Sequence, residues 1–266
     1  MEHIFLPTSI TFEDTDRPHV GRVVITPCHQ GYGTTLANAL RRVLLSSLPG
    51  AALESVKIKG VQHEFQAIEG VLEDVIQVIL NLKQIAVRSH AEGPVTLSLV
   101  KKGKGDVTAG DFEKNPDIEI INKDLKIMTI TSDSATVDME VVIGRGRGYV
   151  PVAEKQTKNV DLGTIMIDSL YTPIRDVGYD IELTRVGDVT DYEKLTLTIE
   201  TNGTITPKAA VSQTTRILLD HFNLIAQAAE GSDESVAMEM PTEEPTVETE
   251  EVAEEKPKKS KKKKSE

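Results

Sequence analysis

The alternation of apolar and polar positions divides the chain into three helical stretches and a larger number of short extended runs. The strongest helical pattern is GYGTTLANALRRVLLSSLPG at 31–50, which opens on a glycine-punctuated turn, offers Thr34 or Thr35 as N-cap and stops at Pro49-Gly50. At about 100° per residue, Leu36, Leu40, Val43, Leu44 and Ser47 share one stripe, with Ala37, Ala39 and Leu48 at its margins. The opposite face carries Asn38, Arg41 and Arg42, and with them Leu45, an apolar residue outside the stripe. One helix therefore has two surfaces to satisfy. A second helix is predicted over 71–83, where Val71, Val75, Val78, Ile79 and Leu82 form one stripe while Leu72, Ile76 and Leu80 cover much of the remainder. A helix this apolar is expected between two layers. The third, 207–229, opens on Thr206-Pro207 and sets Ala210, Val211, Thr214, Ile217, Leu218, His221, Phe222, Leu224 and Ile225 along a near-heptad seam that wants another helix.

The remaining patterned segments read as strands. Residues 4–12 and 19–26 are extended, the second rich in β-branched Val20, Val23, Val24 and Ile25, with a polar turn at 13–18. In 51–65, Val56 and Ile58 alternate with Lys57 and Lys59. Short runs at 95–100, 118–121, 125–130, 137–143, 164–170, 177–186 and 195–200 are separated by Gly, Pro, Asn and Asp. Gly103, Gly105 and Gly110 predict an irregular, mobile loop, and Thr201-Asn202-Gly203-Thr204 a turn. The 266 residues suffice for one large or two medium domains, and with aromatics at 4% the core must be aliphatic.

Charge and composition narrow the function classes. A formal net charge of −12 argues against a chain that binds nucleic acid through a general phosphate-neutralising surface. The single cysteine, Cys28, excludes an intrachain disulfide framework and fits a reducing compartment. The N-terminus lacks the pattern of a secretory signal, and no run reaches the ~18 apolar residues of a membrane span, so a soluble intracellular protein is expected. From residue 230 the composition changes outright. Twelve acidic residues and seven lysines fall in 230–266, leaving the rest of the chain at only −7. With so little apolar surface to bury, this segment is expected to be a disordered charged tail, and its lysine run at 256–264 a solvated end rather than a phosphate contact.

Candidate chemistry is thin. Gly31-Tyr32-Gly33-Thr34-Thr35 ahead of a helix resembles an anion-binding turn but lacks the lysine of a P-loop and the third glycine of a dinucleotide fingerprint. Cys28-His29 is adjacent rather than spaced for chelation, and the other histidines are scattered singly. No local signature of an activated serine or cysteine appears. Gly144-Arg145-Gly146-Arg147-Gly148-Tyr149 reads as a glycine-rich link at a strand end in preference to a nucleic-acid-binding element. An enzyme would show a pocket of convergent titratable groups, a scaffold would show apolar patches rimmed by charge, and a stand-alone dimeric binding module would need no large partners.

Four segments taken together carry a resemblance: GYGTTLANALRRVLLSSLPG, then EGVLEDVIQVILNLK at 69–83, GRGRGYVP at 144–151 and TDYEKLTLTIETNGTITP at 190–207. In this order they resemble the α subunit of bacterial-type DNA-dependent RNA polymerase. The resemblance implies an α+β fold with a dimerisation subdomain, 1–49 and 172–229, that holds two interface helices, and an inserted strand-rich α/β subdomain at 50–171. It implies a non-catalytic subunit of a nucleotidyltransferase that homodimerises and scaffolds the β and β′ subunits. Carried over by position, the dimer interface takes Leu36, Leu40, Val43, Leu44, Val211, Leu218, Phe222 and Ile225. The β contact takes Asn38, Arg41, Arg42 and Leu45 with Glu69 and Gly70 of the segment 67–74. The β′ contact takes Asp180, Glu182 and Arg185 near 177–185 and Asn202 and Gly203 near 195–206. No cofactor or metal is expected in this chain, the catalytic Mg being expected on a partner subunit. Sigma, omega and DNA are implied as indirect partners, with a cytoplasmic, nucleoid-associated location and no membrane contact. Family members usually continue into a compact C-terminal domain that binds promoter DNA; here the charged tail stands in that place, and no such domain is expected.

Overall fold

The two ends of the patterned sequence meet in one sheet. In the computed structural model, which describes residues 4–155, 161–187 and 189–230, the elements run β1 (Ser9–Asp14), β2 (Val20–Cys28), α1 (Tyr32–Ser46), β3 (Pro49–Ile58), α2 (Val75–Leu82), β4 (Val87–Ser89), β5 (Val95–Lys102), β6 (Gly105–Thr108), β7 (Ile118–Ile120), β8 (Lys126–Ile130), β9 (Thr136–Arg147), β10 (Tyr149–Val150), β11 (Thr164–Met166), β12 (Ser169–Leu170), β13 (Ile174–Val186), β14 (Val189–Thr201) and α3 (Pro207–Glu230). The expected disordered tail, from residue 231 onward, lies outside the described residues. The fold is α+β with antiparallel pairing throughout.

Two compact units divide the chain at Asn223. The first, Met1–Asn223, contains every described strand; of the second, Leu224–Glu266, only the helical residues to Glu230 are described. Within the first unit the buried residues fall into two clusters. The smaller joins Val23 and Ile25 of β2 with Leu195, Leu197 and Ile199 of β14, Val177 of β13, Ala37, Leu40 and Leu44 of α1, and Ala210 and Val211 of α3. Its sheet runs β1-β2-β14-β13, and the register Leu195↔Ile25, Leu197↔Val23 puts alternate residues of both strands on the face that meets the helices. The larger cluster belongs to the sheet β5-β9-β3-β4-β7, with β11 on β3, packed under Val75, Val78, Ile79 and Leu82 of α2.

The start of α1 differs from the sequence expectation. Neither Thr34 nor Thr35 caps it; the helix begins at Tyr32, with Gly31 as N-cap at φ 82 and no side-chain cap of its own. The free N–H groups are satisfied from the far end of the chain. The Glu193 carboxylate of β14 accepts from Gly31 N and Gly33 N, each at 2.8 Å, its two oxygens divided between them. A charge placed on the apolar face of a strand thus meets the positive end of a helix. Gly33 makes room for it, since a Cβ there would stand 2.6 Å from Glu193 Oε2.

Three further expectations change. α2 begins at Val75 rather than Val71, because Asp74 caps it by accepting from Gln77 N at 2.8 Å, while Glu73 accepts from Thr129 N and Oγ1 and ties 71–74 to β8 instead. α2 is not sandwiched: Ile76 and Leu80, with Leu72 before the helix, are exposed on its outer side. The glycines at 103–110 frame a paired strand, β6 on β8, followed by a 3-10 turn closed by a Thr108/Asp111 capping box, with Lys101 Nζ 2.6 Å from Asp111.

The run at 144–148 closes β9 and leads into β10, as a glycine-rich link at a strand end should. Gly144 to Arg147 lie within β9 and pair with β3 from Ala52 to Pro49. Their glycines admit two large side chains: a Cβ on Gly146 would stand 2.7 Å from the Tyr171 ring, and one on Gly144 would overlap the Glu54 carboxylate. The Tyr171 hydroxyl donates to Glu54 Oε1 at 2.6 Å, and burial pushes its pKa up to about 12. Beside this pair, Lys155 Nζ donates to Glu54 O at 3.1 Å, to Ile167 O and to Ser169 Oγ at 2.6 Å. Burial holds the Lys155 pKa below the ordinary lysine value, against the opposing pull of Glu54 and Asp168.

Two predictions follow from these contacts. Ala is a better helix former than Gly by ~1 kcal/mol, yet Gly33→Ala is expected to lower stability in chemical denaturation because it displaces the Glu193 cap. In a Glu193→Ala background, itself weaker by about 1–2 kcal/mol, Gly33→Ala is expected to stabilise; an equal effect in both backgrounds would show that the cap is not what Gly33 serves. The second concerns acid. Val152 N, donating at 2.9 Å, and Lys83 Nζ at 3.0 Å hold the Asp168 pKa below its usual 3.8. Its contribution is therefore complete above about pH 4 and lost as pH falls through the depressed value. Asp168→Asn is expected to flatten the acid limb of the stability profile, and an unchanged limb would contradict this.

Candidate functional site

α1 presents its expected contact residues unequally. Leu44 is fully buried and Leu40 nearly so, both in the core of their own chain, as is Val211 of α3. These three are committed to the fold. Leu36 and Val43 are half-buried. Asn38, Arg41 and Arg42 are exposed, the Asn38 side-chain oxygen accepting from the Tyr179 hydroxyl at 3.2 Å. Neither arginine has a carboxylate within ion-pair distance among the described residues. Leu45 departs from the helical-wheel reading: it is half-buried and packs against the smaller core, so the second face of α1 is charged but not separately apolar.

α3 is the most open apolar surface. Its first turns are buried through Ala210, Val211 and Thr214, and Ile217 and Leu218 are packed against the same core. Beyond them Leu219 at 52%, Phe222 at 57% and Ile225 at 63% stand in solvent, with Leu224 also exposed. Thr206 Oγ1 caps the helix by accepting from Ala209 N at 3.2 Å, as Thr206-Pro207 predicts. At the edge of the same sheet, Ile10 and Phe12 of β1 pair with buried Ile25 and Val23, and so lie on the helix-bearing face, yet both remain exposed. The apolar layer runs past the helices that cover it.

The segment 67–74 belongs to the larger core. Gly70, at φ 76, turns the chain, and its carbonyl accepts from Thr131 N at 2.8 Å and Thr131 Oγ1 at 3.1 Å. Glu69 is exposed, and Leu72 at 72% and Phe65 at 76% project outward nearby in sequence. On the β13–β14 hairpin, Asp180 is exposed and Glu182 pairs with Lys194 across the strands at 3.0 Å. Arg185 Nε donates to Gly187 O at 2.6 Å. Asn202 and Gly203 form a turn in which Asn202 Oδ1 accepts from Thr204 N at 3.0 Å and Thr204 Oγ1 at 2.6 Å. That turn meets the larger core, because Arg88 of β4 donates to Thr204 O through Nε at 3.0 Å and through Nη2.

The titratable groups do not converge. Among the described residues no three of His, Cys, Asp and Glu are arranged to hold a metal ion. Burial, reinforced by Glu193, raises the Cys28 thiol pKa, the opposite of what a nucleophile requires. The glycine turn ahead of α1 does hold an anion, but the anion is Glu193. Sequence reasoning missed this residue although a signal was present: counting back by two from Ile199, Leu197 and Leu195 reaches 193, so an acid falls on the inward face of β14 and demands a partner. No comparable signal marks the Tyr171–Glu54 pair, which depends on the β3–β9 register. No described helix is long and apolar enough to cross a membrane.

Residues 56–172, the span of the larger core, match the family model described as the RNA polymerase Rpb3/RpoA insert domain. A DNA-directed RNA polymerase subunit alpha of Symbiobacterium thermophilum is 46% identical over 239 residues, covering 90% of this chain and 75% of the relative. One of Clostridium botulinum is 45% identical over 226 residues, covering 85% of this chain and 71% of the relative. Similarity of this extent, spanning both cores, places the chain in the family of bacterial DNA-directed RNA polymerase alpha subunits.

Proposed function

We propose that this chain is a non-catalytic assembly subunit of a DNA-directed RNA polymerase, which homodimerises and seats the β and β′ subunits. The observation that carries the reading is the apolar run of α3 standing in solvent beyond the core that anchors its first turns. Burying a side chain the size of Leu or Phe is worth about 1.5–3 kcal/mol, so a contact that covered Leu219, Phe222 and Ile225 would be strongly favoured. A second copy offers the same surface, and a twofold axis lets each seam meet its counterpart. The dimerisation part is then 1–49 with 172–229, and the inserted part is 50–171.

On this reading Arg41 and Arg42, with Asn38, meet the β subunit from α1, joined by Glu69, Gly70 and the outer side of α2. The hairpin residues Asp180, Glu182 and Arg185 meet β′. Asn202 and Gly203 act through the turn they build. Sigma, omega and DNA are reached through the large subunits, the catalytic Mg lies on a partner, and the place of action is the cytoplasm.

Co-expression with the two large subunits tests the proposal. Phe222→Glu places a charge in the proposed seam and is expected to abolish recovery of both, while far-UV circular dichroism stays unchanged. Arg42→Ala is expected to stay within about 0.5 kcal/mol of wild-type stability and to lose β selectively. Leu45→Ala, because that side chain is half-buried, is expected to cost about 1–2 kcal/mol, less than the ~2–5 for a fully buried leucine. Wild-type recovery of both large subunits with Phe222→Glu would contradict the proposal.

A further inference from the structure

Among the described residues the chain passes between its two cores at two places, 48–50 and 171–173, which lie side by side. Two adjacent backbone crossings form a hinge unless something braces them. Two braces are present, on the strands that flank β3. On the β9 side, Tyr171 lies across Gly146 and donates to Glu54, whose carboxylate rests on Gly144. On the β4 side, Arg88 donates twice to Thr204 O and is held in place by Glu119 at 2.9 Å.

We infer that Tyr171 and Arg88 are positioning residues that lock this hinge, making the two cores one rigid bracket. Each brace resists a different motion. The phenol, 5% exposed, resists separation of the second crossing from β3, and its hydrogen bond to a carboxylate out of water is stronger than a neutral pair. The guanidinium fork spans from β4 to the turn that leads into α3, and so resists rotation about β3. With one brace removed the other still limits the hinge; with both removed only the crossings and the approach of Gly203 to Ile121 hold the cores.

Electron paramagnetic resonance distances between nitroxides at Asp176→Cys, beside the smaller core, and Glu140→Cys, on β9 of the larger, test this directly. The labelled chain is diluted into an excess of unlabelled chain, so that the distance is intrachain whether or not the protein dimerises. Tyr171→Phe with Arg88→Ala is expected to widen the distance distribution on the order of twofold, with circular dichroism unchanged, while each single variant widens it less. Glu54→Gln, which keeps an acceptor for the Tyr171 hydroxyl, is expected to retain the native width. A double variant that stays folded with the native width would overturn the inference, as would equal widening by Glu54→Gln and Glu54→Ala, which would show a loss of packing and not of the brace. If the double variant loses its fold, the Tyr171→Phe and Glu54→Gln distributions decide alone: native width in both would overturn the role of Tyr171.

Discussion

The antiparallel pairing of β2 with β14 is the constraint from which the rest of the structure follows. It joins residues that begin the chain to residues near 200, and everything between must leave and return within that frame. Loop-closure entropy grows only slowly with length, at about 0.6 kcal/mol per doubling, so the cost of spanning the insert is modest and the apolar face of the sheet repays it. That face then recruits α1 and α3. Glu193 shows the dependence most sharply, because its strand must already be in register beside Cys28 before the carboxylate can reach the head of α1. A cap supplied from so far along the chain makes the helix start a consequence of the sheet.

Features written in local chemistry were legible in the sequence. The Thr206-Pro207 start of α3 and the turn at Asn202-Gly203 rest on residues within one turn of the feature, whereas α1 ends at Ser46, ahead of the expected Pro49-Gly50, which opens β3. The smaller core was legible too, since the period of the apolar residues names its faces. What depended on long-range register was not. The Thr34/Thr35 cap gave way to Glu193, a carboxylate distant in sequence, and 71–74 was drawn away from α2 because Glu73 binds Thr129 of β8. Leu45 failed for a different reason: a helical wheel shows the helix alone, whereas α1 lies across both β13 and β14 and Leu45 packs on the core they share.

Burial also separates two kinds of apolar residue that the periodicity of the sequence cannot. Leu40, Leu44 and Val211 share a pattern with Phe222 and Ile225, yet the first three are consumed by their own chain and the last two are exposed. The distinction lies in where α3 outruns the sheet beneath it, a length relation invisible to a hydrophobic pattern. The outer side of α2, with Leu72, Ile76 and Leu80, repeats it on the larger core. A chain with this much apolar side chain in solvent is arranged for covering contacts.

The central claim is that the open face of α3 is covered by a second copy of the same chain. Light scattering coupled to gel filtration, with the purified chain alone across the low micromolar range, tests it most directly. The account predicts twice the 29.1 kDa chain mass, falling to a single chain mass when Phe222→Glu is introduced. A wild-type chain that elutes as a clean, folded monomer throughout that range would contradict it.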